Sequence, residues 1–163
     1  MHELETPTHI FFWNGEFSNW YSSMCRFRYK GITFYNSEQC FMWEKAIYFH
    51  DMEMAERIVR TPEPSEAKAL GRLVKNFDAD AWSEVSYDIM VSIVFEKFNQ
   101  NHMLKRVLLE SENKVLVEAS PYDVIWGIGL HYTNEKCLDE ANWKGLNLLG
   151  KALMEVRDKI RNK

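Results

Sequence analysis

From Ser37 to Glu110 apolar residues recur at intervals of three and four, and this periodicity restricts the fold more than any other feature of the chain. Trp82, Val85, Ile89, Ile93 and Phe98 follow one another at spacings of 3, 4, 4 and 5, which predicts a long amphipathic helix from about Ala81 to Asn99. Upstream, Ser37 is a candidate N-cap for a helix to about His50, with Phe41 and Ile47 at apolar positions. Asp51 opens a shorter helix to about Arg60, and Pro64 suits the first turn of another that continues through Ala67, Leu70 and Leu73. A further helix is predicted from His102 to Glu110. Leu149, Ala152, Leu153, Val156 and Ile160 mark a last one from about Asn147.

Strand patterning is confined to short pieces. His9-Ile10-Phe11-Phe12-Trp13 is aromatic and branched, Arg26 to Tyr29 alternates ahead of Gly31 to Phe34, and Lys30-Gly31 suits the turn of a hairpin. Val115-Leu116-Val117 reads as a short buried strand. The expected class is α+β, helix-dominated with a small N-terminal β component. With 163 residues, 46% of them hydrophobic, there is material for one core and too little length for two ordinary domains, so one compact domain over residues 1–163 is expected.

Charge narrows the partners. Twenty Lys and Arg against 24 Asp and Glu leave a net charge of −4, so bulk attraction to a polyanion is not expected, although a local basic groove stays open. The three cysteines, Cys25, Cys40 and Cys137, form no C-x-x-C pair, which argues against a disulfide framework or structural zinc and for a reducing, cytoplasmic setting. His2, His9, His50, His102 and His131 lack metal-binding spacing, and no metal or other cofactor is expected. The start of the chain lacks a basic region followed by an apolar stretch, and no run of about 18 apolar residues occurs, so neither secretion nor a membrane partner is expected. No obligate protein partner is evident.

Four segments could carry chemistry. Glu38 falls in the first turn of its helix with Lys45 seven residues on, along the same face. The pair either lines a site or, more plainly, complements the helix dipole and faces water. Ser120 to Gly129 combines Asp123, Trp126 and two glycines in a non-repetitive loop, where Asp123 either serves a site or caps a turn. Asn147 opens the last helix, as a cap or beside amides that could hold an anion. Lys68, Arg72 and Lys75 form a basic stripe for a phosphate or for solvent. The 10 Phe, 7 Tyr and 6 Trp are unusually many, and some of these rings are expected to face a ligand.

Five blocks taken in order resemble the NADAR (YbiA-like) family over about residues 9–160. They are Phe12 to Asn19, Ser37 to Ala46, Ala67 to Arg72, Leu116 to Gly129 and Gly145 to Gly150. The resemblance implies an α+β protein and an N-glycosidase that hydrolyses a bond between ribose C1 and nitrogen. Implied substrates are phosphorylated riboflavin-pathway intermediates, or ADP-ribose on guanine, free or in DNA. It also implies Glu38, Asp123 and Lys45 as catalytic, and Asn19, Arg72, Trp82, Trp126, Gly127 and Asn147 as substrate-binding. Gln39 and Met42-Trp43 depart from the commoner pattern of histidine and Gln-Ala. Breaking such a bond builds positive charge on C1 while the base gains electrons, so a carboxylate near C1 and a donor near the base both assist. Lys45 would favour the charged form of a neighbouring carboxylate.

Overall fold

The computed structural model describes residues 4–163, and His2 with the rest of Met1-His2-Glu3 lies outside them. In chain order the elements are β1 (Leu4–Glu5), β2 (His9–Phe12), β3 (Phe27–Tyr29), β4 (Ile32–Phe34), α1 (Ser37–Tyr48), α2 (Met52–Val59), α3 (Pro64–Gly71), α4 (Ala79–Gln100), α5 (His102–Glu110), β5 (Val115–Glu118) and α6 (Leu148–Arg161). Two short 3-10 turns, Glu135–Leu138 and Glu140–Asn142, precede α6. Helices dominate and the β component is small, as the patterning predicts. The chain divides into two compact units: a strand unit of residues up to Ser18 with Lys105–Lys163, and a helical unit of Asn19–Leu104.

In the strand unit the sheet order is β1-β2-β5. β1 runs antiparallel to β2, pairing Leu4 with Phe11, whereas β2 and β5 are parallel from His9↔Val115 to Phe12↔Glu118. Phe11, Val117, Ala119, Ile128, Leu130 and Cys137 form the buried cluster on this sheet. Asn147 locks α6 to it. The residue occupies the N-cap position, but its side chain makes no capping bond, contrary to expectation. Instead Oδ1 accepts from Glu118 N–H at 3.0 Å and Nδ2 donates to Leu116 O at 3.0 Å, so both ends of the amide are spent on β5. The backbone turns sharply to allow this, with Asn147 at φ 54°, a left-handed conformation that asparagine tolerates better than most residues.

In the helical unit, β3 and β4 pair antiparallel as a hairpin turned by Lys30 and Gly31, both at positive φ. Asn36, and not Ser37, caps α1, because its side chain accepts from Gln39 N–H at 2.8 Å and leaves Ser37 as the first helical residue. Gln39 is fully buried and ties three segments together: Nε2 donates to Ile58 O and Val59 O at 3.0 and 3.1 Å, and Oε1 accepts from Tyr35 N–H at 2.9 Å. Its departure from the family pattern therefore serves the scaffold. Trp43 likewise packs with Phe34 and Tyr29, while Tyr29 Oη donates to the buried Glu44 carboxylate at 2.7 Å.

The long helix begins two residues before the predicted start, capped by Asp78, with Trp82 in its first turn. Its buried side also differs from expectation. Ser86, Met90, Val91, Ile93, Val94, Lys97 and Phe98 are buried, whereas Trp82, Val85 and Ile89 are only partly covered. Polar Ser86 and Lys97 occupy places on the core side that a hydrophobic pattern assigns to solvent. The Lys97 ammonium lies 4.9 Å from the Phe98 ring and 5.8 Å from that of Tyr21, within cation–π range.

The Asn147 clamp predicts a stability effect. Asn147→Ala loses two bonds to buried backbone groups and leaves alanine in a left-handed conformation, for an expected loss of about 2–4 kcal/mol in urea unfolding. Asn147→Gly removes the backbone strain and is expected to recover about 1 kcal/mol of that loss.

Candidate functional site

Within the helical unit, α1 and α3 gather three of the expected site residues. Glu38 lies in the first turn of α1, 9% exposed, with its N–H donated to Asn19 O at 3.0 Å. Lys45 is two turns further on and half-buried, its ammonium 4.3 Å from the Phe77 ring. Burial pushes the Lys45 pKa below the usual lysine value, the Glu38 carboxylate opposes that fall, and Arg72 adds to it. Arg72 caps the C-terminal end of α3, just after Gly71. A Cβ at Gly71 would run into the Met42 side chain, so this glycine lets α3 pack closely on α1 and bring the guanidinium within electrostatic range of Lys45.

A series of aromatic rings leads up to the Lys45 ammonium. Trp82 packs against Phe41, Tyr48 and Phe49 at centroid distances of 5.2, 6.0 and 6.1 Å, and Phe49 meets Phe77 at 5.4 Å. A row of rings thus runs from Trp82 to the ring under Lys45. Trp20, 45% exposed, carries the Lys68 ammonium 5.8 Å from its centroid. The basic stripe is therefore not uniformly solvated: Lys68 faces an indole and Arg72 acts on Lys45, while Lys75 is exposed. The backbone N–H of Lys75 is the main cause holding the Asp51 carboxyl below its ordinary range. Sequence reasoning missed Phe77 and Trp20 as partners of the lysines, because those approaches come from turns with no periodic signal.

The strand unit holds Asp123, Trp126, Gly127 and Asn147. Asp123 Oδ1 accepts from the N–H groups of Ile125 and Trp126 at 2.9 and 2.8 Å, which is the turn-capping role weighed above; Oδ2 takes no part in that turn. The loop so formed wraps the start of α6. Leu146, Asn147, Leu148 and Leu149 donate their N–H groups to the carbonyls of Val124, Gly127, Ile125 and Trp126, at 2.9 to 3.1 Å. The amides expected as an anion cradle are consequently occupied, and that expectation is corrected. Gly127 is needed for close approach, since a Cβ there would stand 3.0 Å from both the Asp123 and Glu118 carbonyl oxygens. The exposed Tyr122 ring, 5.9 Å from that of Trp13, is a feature the sequence did not single out.

Among the described residues, no three His, Cys, Asp or Glu side chains converge as a metal ion would require, and no helix is long and apolar enough to cross a membrane. The sequence model of the NADAR domain matches residues 11–161. The chain belongs to the NADAR family. It is 41% identical over 133 residues to "Protein irg-1" of Caenorhabditis elegans, covering 80% of this chain but 63% of that longer protein. It is 37% identical over 166 residues to "N-glycosidase R617" of Acanthamoeba polyphaga mimivirus, covering 95% of this chain and 98% of that one. A more distant relative, "Riboflavin biosynthesis protein VVA0006" of Vibrio vulnificus, is 28% identical over 91% of this chain and 36% of its own length. The solution structure of the E. coli protein YbiA matches with a TM-score of 0.78 and 29% identity, over 99% of this chain and 89% of that one. The likeness supports the helix-dominated α+β assignment for this NADAR chain.

The opposing influences on Lys45 have definite signs. Glu38→Gln removes the carboxylate that raises the ammonium's pKa, so Lys45 is expected to titrate lower than in the parent. Arg72→Gln removes a like charge and is expected to move the titration upward. Side-chain NMR of labelled lysine checks both directions.

Proposed function

We propose that this NADAR protein is an N-glycosidase that cleaves the ribose C1–N bond of phosphorylated riboflavin-biosynthesis intermediates of the ribosylamino-pyrimidine type. The observation that carries the reading is the position of Lys45 on α1, over the Phe77 ring and within electrostatic range of both the Glu38 carboxylate on its own helix and Arg72 at the end of α3. The names of the mimivirus and Vibrio relatives support the bond type and the substrate class in turn. Glu38 activates water, whose oxygen bonds to C1 as the C1–N electron pair leaves with the base nitrogen. One water proton passes to the carboxylate, the other stays on the new C1 hydroxyl, and the base nitrogen takes up a proton from solvent. Arg72 and Lys45 bind the phosphate, for which a guanidinium and an ammonium are suited donors. Trp82 stacks on the heterocycle, a contact worth roughly 1–3 kcal/mol. The reading uses no metal.

A second reading, removal of ADP-ribose from guanine in nucleotides or DNA, is favoured by one specific feature. Trp20 with Lys68 above it provides another ring and cation that a diphosphate and a second base could use. A third, a non-catalytic module for NAD or ADP-ribose, fits poorly with the buried carboxylate of Glu38, because that group repels a diphosphate.

One assay separates the three readings. The parent is incubated with a 5-amino-6-ribosylaminopyrimidine 5′-phosphate, ADP-ribosyl guanosine and an ADP-ribosylated oligonucleotide, and products are followed by mass spectrometry. Ribose 5-phosphate release from the first is expected, with Glu38→Gln slower by about 10²- to 10⁴-fold. Asp123→Asn tests the part the family resemblance gives to the second carboxylate. Tight binding of ADP-ribose without cleavage of any substrate would establish the sensor in place of the enzyme.

A further inference from the structure

Three buried side-chain polar atoms among the described residues meet no hydrogen-bond partner: Asn19 Oδ1, Ser37 Oγ and Arg157 Nε. Such atoms are rare in folded proteins, since each forgoes the bonds it makes in water. Arg157 lies in the strand unit, where its Nη1 holds Ser111 Oγ and Lys114 O at 2.9 Å each, a structural tie. The other two belong to residues joined to Glu38 through the backbone. Ser37, fully buried, immediately precedes it at the start of α1. Asn19 accepts the Glu38 N–H on its backbone carbonyl at 3.0 Å, and its side-chain nitrogen reaches Met90 Sδ at 3.6 Å. The side-chain oxygen is the group left over.

We infer that Asn19 Oδ1 and Ser37 Oγ hold the attacking water beside Glu38, an inference that rests on the glycosidase reading above. The count of donors and acceptors selects water. Ser37 Oγ–H donates to the water oxygen, Asn19 Oδ1 accepts one of its hydrogens, and the Glu38 carboxylate accepts the other. One lone pair remains for C1. A ribose hydroxyl has a single hydrogen and could satisfy only one of the two acceptors. During the reaction the water oxygen bonds to C1, the C1–N pair leaves with the base nitrogen, and a water proton moves to Glu38. Asn19 and Ser37 orient the nucleophile and exchange no proton. Two fixed partners in addition to the carboxylate confine the water to one position, which is how an enzyme lowers the entropic part of such a barrier.

Two measurements test this. In a crystal structure of the unliganded protein, one water is expected within about 3.2 Å of Asn19 Oδ1, Ser37 Oγ and a Glu38 carboxylate oxygen. If the two atoms are bonded to separate waters or to other protein groups, the inference fails. With the substrate the parent turns over, Asn19→Ala and Ser37→Ala are each expected to lower kcat about 10- to 100-fold while KM stays within about twofold. An unchanged kcat with a raised KM would assign the pair to substrate binding and overturn the water role. Thermal melting checks that each variant is folded, and if either is not, the position of the water in the parent decides. A parent inactive on every substrate sinks the glycosidase reading itself, whereas an active parent with unaffected variants sinks this inference alone.

Discussion

Burial favours the neutral form of a lysine and lowers the Lys45 pKa, the Glu38 carboxylate two helical turns away opposes that fall, and Arg72 adds to it. This opposition is the constraint around which the candidate site is arranged. Both residues lie on α1, so their separation is set by helix geometry and does not depend on a loop. The third charge arrives on α3, and its approach depends on Gly71 leaving room for the Met42 side chain. A carboxylate and two cations are thereby held on α1 and at the end of α3.

The surrounding scaffold consists largely of satisfied polar groups. Asn36 caps α1, Asp51 caps α2 and also takes the Lys75 N–H, and Gln39 joins α1 to the end of α2. In the strand unit, the carbonyls of residues 124–127 pair the amides at the start of α6, and Asn147 Oδ1 pairs the Glu118 N–H of β5. Against this background the unpartnered atoms of Asn19 and Ser37 stand out, because the chain has met this requirement almost everywhere else among the described residues.

Much of the architecture was legible from local patterns. Helical spacing and start signals such as Asp51 and Pro64 located the six helices of the described residues, and α5 falls on its predicted limits, His102 and Glu110. The errors have physical causes. Asn36 and Ser37 are both good caps, and only the three-dimensional turn decides between them. The buried face of α4 was misplaced because Lys97 is inside among aromatic rings, which hydropathy cannot anticipate. β1 is two residues long and exists only through pairing with β2, and the parallel pairing of β2 with β5 joins segments about a hundred residues apart. At the site, the i to i+7 spacing of Glu38 and Lys45 was readable. The approach of Phe77 and Arg72 to the ammonium was not, because tertiary packing brings them there. Asn147 looked like a cap in sequence, and its left-handed backbone turns the side chain to β5 instead.

The proposed reaction turns on one bond: water adds to the sugar carbon, and the base departs intact. Turnover of a 5-amino-6-ribosylaminopyrimidine 5′-phosphate in water enriched in oxygen-18, with immediate borohydride trapping of the released sugar, tests it most directly. The account predicts one heavy oxygen at C1 of ribose 5-phosphate and none in the base. Heavy oxygen in the base, or a released sugar without it, would contradict the account.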